Sequence, residues 1–409
     1  MVSFRKCRFD RVKILVTTFT YPPYADGCSE AVSVLTRGLV RLGHAVTVAT
    51  GMHPGRQPSL PAANPFVESF QISGSANRRI ALQATPAEIA RYRRFLTDGD
   101  YDLIIFENWD AWPTYLAEPL LRQLKPKKIL VSHGYTPHLW NVFPKFPWGI
   151  TYWMGGWPLV ARTPWLMRKF DHLVVLSQRR DFNRFFDHWL ARATRYKAVS
   201  VIANGAFARE FNDPSLPDFR RQHGVGQGLM LLFVANYCDR KNQLMTVRAF
   251  RQAQLKDATL VLIGSEINEY AEQVRQLDAE LQKQYPAGKV VLLEKLNRTQ
   301  TCAAYRAADL FVLTAKAETQ PIVLLEAMAS HTPWLSTDVG CVADLPGGRV
   351  ARDEADFIAK LRELAGSPEQ RQKLSTEGWT ACQQTYDWEQ VVSAYGRLVE
   401  TVAGNTKQP

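Results

Sequence analysis

The sequence predicts an α/β protein of two domains, each built on a mostly parallel sheet. The chain has 409 residues, which is more than one hydrophobic core usually organises and suits two domains of about two hundred residues each. Short apolar runs alternate with helical segments in two successive series. A stretch containing Pro, Gly and Asp, residues 204–228, lies between the two series and indicates a linker.

The first series opens with a strand, a helix and a second strand. VKILVTTF, from Val12, is predicted as a buried strand, TYPPYADGCSE as a loop, AVSVLTRGLVRLG as an amphipathic helix ending near Gly43, and HAVTVAT as the next strand. Further strands are predicted at DLIIFEN, KKILVSH, HLVVLS and AVSVIA. These elements assign residues 1–203 to an N-terminal domain.

The second series begins with LMLLFVA and continues through predicted strands at ATLVLIG, KVVLLEK, ADLFVLT and TPWLST. Residues 229–385 are therefore assigned to a C-terminal domain, and residues 386–409 to a C-terminal helical stretch. In open α/β sheets ligands bind at the carboxyl ends of the strands. The loops that follow strands are consequently the first candidates for functional sites.

Charge is distributed unevenly along the chain. The first 200 residues contain 27 Lys and Arg against 14 Asp and Glu, whereas residues 201–409 contain 23 against 25. A basic half beside a nearly neutral one indicates that the first half faces an anionic surface, such as a phospholipid leaflet, a lipid pyrophosphate or an acidic saccharide. No recognisable binding motif supports nucleic acid as a partner.

The six cysteines lie far apart, without a CxxC pair or a histidine spacing typical of zinc, which predicts reduced and mostly structural thiols. The apolar run VKILV near the basic N terminus is too short for a signal peptide or a membrane span. The expected location is therefore the cytoplasm. The basic half leaves open a peripheral contact with the inner face of the plasma membrane.

The segment TAKAETQPIVLLEAMA, from Thr314 to Ala329, carries the most specific pattern. ADLFVLT before it has the length and composition of a strand, and Pro321 has a φ suited to a first helical residue, so the predicted order is strand, short loop, helix. Unpaired N–H groups and the helix dipole favour a phosphate at such a junction. A diphosphate is expected at Thr319, Gln320, Pro321, Ile322 and Val323.

Two carboxylates flank that junction. Glu326 lies about a turn and a half into the helix, and its side chain leans back toward the N terminus, where it would bind a ribose diol. Glu318, in the loop, would accept hydrogen bonds from sugar hydroxyls. The alternative is that Glu318 is a solvated loop residue and Glu326 a surface residue, but a lone carboxylate within LLEAMA is costly to bury without a partner.

This stretch is similar to the E-x7-E signature of family 4 retaining glycosyltransferases, which usually reads EGFGLVLLEAMA. Thr319 and Pro321 replace glycines here. The spacing of the two carboxylates is kept, but fewer backbone φ and ψ angles are accessible at the phosphate loop. The resemblance implies the B-type glycosyltransferase fold, in which two Rossmann-like α/β domains face each other across a cleft. The N-terminal domain would bind the acceptor and the C-terminal domain the nucleotide sugar, while TYDWEQVVSAYGRLVETV would return to pack on the first domain.

Two positions in the N-terminal domain also match the family. Gly27 lies in the loop after the first strand, where small residues let backbone N–H groups approach the donor phosphate, although Asp26-Gly27-Cys28 stands where a Gly-Gly pair is more usual. His133, in VSHG, matches a histidine that hydrogen-bonds a sugar hydroxyl. Their alternative roles are a simple turn for Gly27 and a capping or structural role for His133.

In the C-terminal domain, FVANYCDRKNQ follows the first strand. Lys241 matches the family's lysine, which stabilises the leaving diphosphate. The family's arginine, about five residues earlier, is replaced by Asn236. Arg240 is a candidate substitute, or else Arg240 and Lys241 form a solvated pair at a helix start. Further along, the resemblance implies loops that cradle the base through backbone groups, at Gly264, Lys295 and Leu296.

Asp98-Gly99-Asp100 imitates the DxD motif with which A-type glycosyltransferases hold a divalent cation. It precedes the strand DLIIFEN instead of following one, which favours a simple turn. In the B-type arrangement a helix terminus and Lys241 supply the positive charge. The resemblance therefore implies no metal and no cofactor other than the nucleoside diphosphate sugar, which is the donor substrate.

Five of the eleven tryptophans lie between Trp140 and Trp165, in a run that also contains Lys145, Arg162, Arg168 and Lys169. Aromatic and basic residues together suit a membrane interface or stacking on a sugar. The alternative is that these rings fill the core of the N-terminal domain.

The predicted activity is that of a retaining hexosyltransferase, with Glu318, His133 and Lys241 as its catalytic residues. It would move a hexose from a nucleoside diphosphate sugar to a hydroxyl of a glycan or lipid-linked glycan, in cell-surface polysaccharide or lipopolysaccharide synthesis. Two alternatives are a nucleotide-sugar epimerase of the same fold and a catalytically silent binding or scaffold module. The loss of the arginine at Asn236 lends weight to the second alternative.

Overall fold

The computed structural model describes residues 11–404 except 25, 61, 75–81, 110, 135–160 and 183. The chain divides into two compact units. The first runs to Ala203 and resumes at Val391, and the second is Asn204–Gln390. Most of the aromatic and basic run that begins at Trp140 lies outside the described residues.

The first unit contains a seven-stranded sheet in the order β3-β2-β1-β4-β5-β6-β7, and every pair of neighbouring strands in it is parallel. Its strands are β1 (Lys13–Thr17), β2 (Ala45–Gly51), β3 (Phe66–Phe70), β4 (Leu103–Glu107), β5 (Lys127–Ser132), β6 (His172–Val175) and β7 (Val199–Val201). Its helices are Gly27–Arg41, Pro86–Asp98, Trp112–Ala117 and Phe186–Ala193, with a further helical stretch at 161–167.

The second unit contains a six-stranded parallel sheet in the order β10-β9-β8-β11-β12-β13. Its strands are β8 (Met230–Val234), β9 (Thr259–Gly264), β10 (Lys289–Glu294), β11 (Leu310–Leu313), β12 (Trp334–Thr337) and β13 (Gly348–Ala351). Its α-helices are Ala208–Phe211, Phe219–Gln222, Gln243–Ala253, Glu269–Gln284, Arg298–Ala307, Ile322–Ala329, Glu354–Gly366 and Pro368–Ala381.

The central strands of both sheets are apolar on both faces because helices cover them. Every residue of β4 and of β11 is buried, as expected for parallel strands between two helical layers. The α/β class with two parallel sheets is therefore confirmed, and a strand occurs at each predicted position. Among the described residues, no helix combines the length and the hydropathy that crossing a bilayer requires.

Two strands were not predicted, and both lie at sheet edges. In β3, with the sequence FVESF, only Phe70 is buried. In β13, with the sequence GRVA, only Ala351 is buried. Edge strands bury little apolar surface, so their hydrophobic pattern is weak.

Two helix starts differ from prediction. The first helix begins at Gly27 and not near Ala31, because the carboxylate of Asp26 accepts a hydrogen bond from the N–H of Ser29 at 2.9 Å and caps it. Pro321 is the N-cap of the helix Ile322–Ala329 and not its first residue, with an extended ψ of 110°. The predicted junction is therefore shifted by one residue.

The last helix, Trp388–Ala403, follows a π-helical turn at Cys382–Tyr386. From Val391 onward its residues belong to the first unit. There Val392 packs so closely on Gly38 that a Cβ at that glycine would overlap its side chain. Tyr395 is buried in the same unit.

Candidate functional site

The order of the strands places a candidate site in the second unit between β8 and β11. From β8 the chain continues to β9 on one side of it, whereas β11 lies on the other side. Such a reversal of strand order leaves a crevice at the carboxyl ends of the two strands, where open α/β sheets bind ligands. The loops that follow β8 and β11 contain most of the residues predicted from the sequence.

Lys241, Arg240 and Glu318 converge at this point. Nζ of Lys241 lies 2.5 Å from Oε1 of Glu318, and a guanidinium nitrogen of Arg240 lies 3.1 Å from the same oxygen. The side chains of Lys241 and Glu318 are 15% and 12% exposed, whereas that of Arg240 is 57% exposed. The half-exposed guanidinium of Arg240 and the largely buried ammonium of Lys241 therefore share the carboxylate of Glu318.

Backbone contacts between the two loops fix this arrangement. The N–H of Lys316 donates to the carbonyl oxygen of Arg240 at 2.8 Å. The hydroxyl of Thr314 donates to the carbonyl oxygen of Asn242 at 2.8 Å, and the amide of Asn242 donates back to the carbonyl oxygen of Thr314 at 3.2 Å. Asn236, which replaces the expected arginine, accepts through its carbonyl oxygen from the side chain of Gln243 at 3.0 Å.

The helix Ile322–Ala329 begins beside this cluster. Pro321 offers its first turn no side-chain acceptor, and that turn contains no acidic residue, so the positive end of the helix dipole is not neutralised from within the helix. Gln320, which is buried, accepts the N–H of Asn204 at 2.6 Å. The carbonyl oxygen of Thr319 accepts the N–H of Cys341 at 2.9 Å. These contacts hold the loop before the helix from both sides.

Gly340 has a structural role at the same loop. Its φ is +51°, and a Cβ there would overlap the carbonyl oxygens of Glu318 and Thr319. Only glycine combines this backbone conformation with so close an approach. Gly340 was not predicted from the sequence, although its position soon after the strand TPWLST was an available signal.

Glu326 is not an isolated carboxylate. It is buried and forms an ion pair with Arg298, which also binds Glu210, with 2.8 Å between a guanidinium nitrogen and a carboxylate oxygen. Burial raises the pKa of the Tyr305 hydroxyl, and the charge of Glu326 raises it further. The cost of burying Glu326 is therefore offset by Arg298, a partner that the sequence analysis did not identify.

Gly264 is the last residue of β9, and Lys295 directly follows the neighbouring strand β10. Glu294 is paired with Gly264 in the sheet register, and the N–H of Lys295, whose φ is +57°, donates to the carbonyl oxygen of Ser265 at 3.2 Å. A Cβ at Gly264 would overlap the ring of Tyr237, in the loop after β8. Gly264 therefore lies against the loop that carries Lys241. The side chain of Leu296 packs on the core of the unit.

In the first unit, His133 contacts a buried carboxylate, Glu107, and the residue after Gly27 lies near it. Nε2 of His133 lies 2.6 Å from Oε2 of Glu107. Cys28, which follows Gly27 at the start of its helix, has a pKa raised by burial and by the charges of Glu107 and Asp26. In this sheet the strand order reverses between β1 and β4, and open α/β sheets bind ligands at the carboxyl ends of strands at such a reversal.

Asp98 and Asp100 lie at a helix end and in the turn that follows it. Asp98 is the last residue of a helix, and Asp100 pairs with Lys13. Both precede β4, as predicted from the sequence. Within the described ranges, no group of three or more His, Cys, Asp or Glu side chains has an arrangement that would hold a metal ion.

Comparison with known proteins identifies the family. Residues 228–367 match the family model described as glycosyl transferases group 1, and residues 26–209 match the glycosyl transferase 4-like domain. The chain is a family 4-like glycosyltransferase. The 4-like domain model lies mainly in the first unit and the group 1 model lies in the second. The family predicted from the sequence is confirmed.

One curated relative and two solved structures illustrate the similarity of this glycosyltransferase to known proteins. It is 26% identical to a phosphatidyl-myo-inositol mannosyltransferase of Mycobacterium leprae, over 84% of this chain and 87% of the relative. Its fold is similar to that of sucrose-phosphate synthase from Thermosynechococcus elongatus, with a TM-score of 0.76, 17% identity, and 97% and 100% of the two chains covered. It is also similar to Anabaena HepE in complex with UDP and glucose, with a TM-score of 0.70, 15% identity, and 96% and 100% covered. The predicted B-type glycosyltransferase fold is thereby confirmed.

Part of the aromatic and basic run of the glycosyltransferase is described. Trp165 is 47% exposed, Nζ of Lys169 lies 3.5 Å from the centre of its ring, and the guanidinium carbon of Arg122 lies 5.0 Å from it. Arg162 pairs with Glu118 at 3.2 Å. Trp165 is therefore not a core residue, and two cations lie close to its ring.

Proposed function

We propose that this glycosyltransferase moves a hexose from a nucleoside diphosphate sugar to a hydroxyl of a glycan or lipid-linked glycan. The observation that carries the proposal is the convergence of Lys241, Arg240 and the start of the helix Ile322–Ala329 at the crevice between β8 and β11. Two cations and a helix dipole that is not neutralised suit a diphosphate.

The proposed chemistry is stabilisation of a leaving diphosphate. Lys241 would bind phosphate oxygens on which charge develops as the bond from the anomeric carbon breaks. Because Lys241 is largely buried, its charge is screened less by water than that of an exposed lysine. Backbone N–H groups at Ile322 and Val323 would bind the same anion, and Thr319, Gln320 and Pro321 would shape the loop around it.

Retention of the anomeric configuration is part of the proposal. A carboxylate that is already held by two cations is a poor nucleophile, which argues against a covalent intermediate on Glu318. Front-face attack of the acceptor, assisted by the departing phosphate, is the course we favour. Glu318 would then accept hydrogen bonds from sugar hydroxyls and hold Lys241 and Arg240 in place.

The remaining assignments complete the donor and acceptor sites. Glu326, held by Arg298, would bind the ribose, and Gly264, Lys295 and Leu296 would shape the base site. Within the N-terminal unit, Gly27 would let backbone N–H groups approach a phosphate and His133 would bond a sugar hydroxyl. No metal is needed in this scheme because Lys241, Arg240 and the helix terminus supply the positive charge, so EDTA should leave turnover unchanged.

A lipid-linked acceptor in polysaccharide or lipopolysaccharide synthesis, reached from the cytoplasm, is the biological setting we propose. The N-terminal half carries the excess of basic residues, and the M. leprae relative is named for action on an inositol lipid. The exposed Trp165 with Lys169 and Arg122 suits peripheral contact with anionic headgroups. Flotation with anionic liposomes at low and high salt tests the peripheral membrane contact. Binding at low salt that is lost at high salt is expected. The absence of binding at low salt would exclude the contact.

Incubation with UDP-, GDP- and ADP-hexoses, with and without glycan acceptors, tests the activity itself. The proposal expects acceptor-dependent release of nucleotide and a product whose anomeric configuration, read by NMR, is that of the donor. An inverted product would contradict retention. A donor sugar changed at one carbon without transfer would identify an epimerase, and binding without turnover of any donor would identify a scaffold module.

A further inference from the structure

Glu107 is a buried carboxylate that the proposed transfer reaction does not otherwise explain. It is the last residue of β4 and is 1% exposed. In the described part of the chain, no Lys or Arg pairs with it, and its one polar partner is the ring of His133, at 2.6 Å. Burying a carboxylate without a cation costs free energy. The presence of Glu107 beside His133 therefore requires an explanation.

Among the described residues, two uncharged groups on other elements lie near Glu107. Cys28 lies on the helix Gly27–Arg41 and Tyr395 on the C-terminal helix. Burial raises the pKa of each, and the charge of Glu107 raises both further. Neither group supplies a compensating positive charge. The imidazole of His133 is thus the group placed to interact with the carboxylate.

The residue after Glu107 holds the backbone of the same histidine. The side-chain oxygen of Asn108 accepts the N–H of His133 at 3.2 Å. Asn108 itself is fixed: its φ is +71°, its N–H donates to the carbonyl oxygen of Val131 at 2.8 Å, and its carbonyl oxygen accepts the hydroxyl of Thr114 at 2.6 Å. Two consecutive residues at the end of β4 therefore fix both the ring and the main chain of His133.

This contact determines which ring nitrogen is free. An ionised carboxylate only accepts hydrogen bonds, so a neutral His133 ring facing an ionised Glu107 carries its hydrogen on Nε2 and its lone pair on Nδ1. Nδ1 has no hydrogen-bond partner among the described residues, and the side chain of His133 keeps 17% of its surface exposed. The ring is thus held in one orientation with one nitrogen available.

We infer that Glu107 is a positioning residue that fixes His133 in the Nε2–H tautomer and presents its Nδ1 as the acceptor for a hydroxyl of the sugar substrate. This inference rests on the proposed transferase function for its kinetic consequence. Its structural part, the tautomer and its dependence on Glu107, can be measured without any activity.

The first test reads the tautomer directly. In ¹⁵N-histidine-labelled protein, with the His133 signals assigned by their loss in His133→Ala, the ring should show the Nε2–H tautomer. Glu107→Gln, whose amide oxygen can still accept, should keep it, and Glu107→Leu should shift the ring toward a mixture of tautomers. A wild-type ring in the Nδ1–H form, or one unchanged in a folded Glu107→Leu variant, would overturn the inference.

The second test is a double-mutant cycle on transfer activity. Glu107→Leu should lower kcat about 10²-fold in the wild-type background and have almost no effect in the His133→Ala background, because Glu107 acts through that ring. Glu107→Gln should recover most of the loss. Equal losses in both backgrounds would overturn the inference, because they would show a role independent of His133.

Glu118→Gln is the matched control. Glu118 is a largely buried carboxylate in the same unit, 13% exposed and paired with Arg162. Its substitution should leave both the His133 tautomer and kcat unchanged. If the wild-type enzyme transfers no sugar from any donor, the proposed function fails, and the tautomer measurement still decides the role of Glu107.

Discussion

The ammonium of Lys241 lies 2.5 Å from a carboxylate oxygen of Glu318, although 77 residues separate them in sequence. They meet because each follows a strand and because those strands, β8 and β11, are neighbours in a parallel sheet. In this structure each side chain partly neutralises the other. A diphosphate at the adjacent helix terminus would compete with Glu318 for Lys241.

Removal of the lysine should therefore affect catalysis more than folding. Lys241→Met should lower kcat/KM for the donor about 10²-fold, because one preorganised cation is lost at the leaving group. Lys316→Met is the control: Lys316 is in the neighbouring loop, but its partner Asp239 is 76% exposed, so less than a threefold change is expected. Steady-state kinetics measure both. Equal effects of the two substitutions would exclude a specific role for Lys241.

Arg298 should stabilise the fold by compensating Glu326, whose side chain is 10% exposed. Arg298→Met leaves that carboxylate without its cation and should cost about 1 to 2 kcal/mol in the free energy of unfolding, a range kept low because Arg298 is half exposed. Urea denaturation measures the loss. Arg275→Met, which breaks an exposed pair with Glu272, should cost less than about 0.5 kcal/mol, and a similar loss in both variants would contradict the prediction.

Gly340 should be required for the geometry of the loop before the helix Ile322–Ala329. Gly340→Ala places a Cβ against the backbone of Glu318 and Thr319 at a φ of +51°. A weakening of nucleotide affinity of about tenfold or more is expected, with a stability loss of about 1 to 3 kcal/mol. Gly224→Ala, at a φ of +61° but in open space, should cost about 1 kcal/mol and leave nucleotide affinity unchanged. Calorimetric titration compares them.

Asp356 should stabilise the fold at neutral pH, and this stabilisation should be lost in acid. The ammonium of Lys360 and the N–H of Arg352 lower the pKa of Asp356 to about 2 from its ordinary value of 3.8. The stabilisation is therefore fully present above pH 3.8 and is lost as the pH falls toward 2. The Tm of Asp356→Asn should be below that of the wild type at pH 7. The difference between the two Tm values should disappear as the pH falls from 4 to 2. A gap that stays constant over this range, or the same pattern in the exposed control Glu272→Gln, would contradict the account.

The fold and the strand-end positions of Lys241 and Glu318 could be predicted because they depend on local sequence. Buried runs such as LIIFE in β4 specify central strands, and Lys241 and Glu318 each follow such a run. The partners of the buried carboxylates could not be predicted. Arg298 with Glu326, and Glu107 with His133, pair across 28 and 26 residues. Which loops meet depends on the order of strands in the sheet, which hydrophobic periodicity does not encode.

The most direct test of the central claim is protection against heat by nucleoside diphosphates. A saturating amount of the correct one of UDP, GDP or ADP should raise the Tm of the wild type by several degrees, since about 2.7 kcal/mol is gained at a hundred times Kd. The matching monophosphate should protect less, and Lys241→Met should lose most of the protection. If no nucleoside diphosphate raises the Tm, or if Lys241→Met is protected as well as the wild type, the diphosphate site assigned here is wrong.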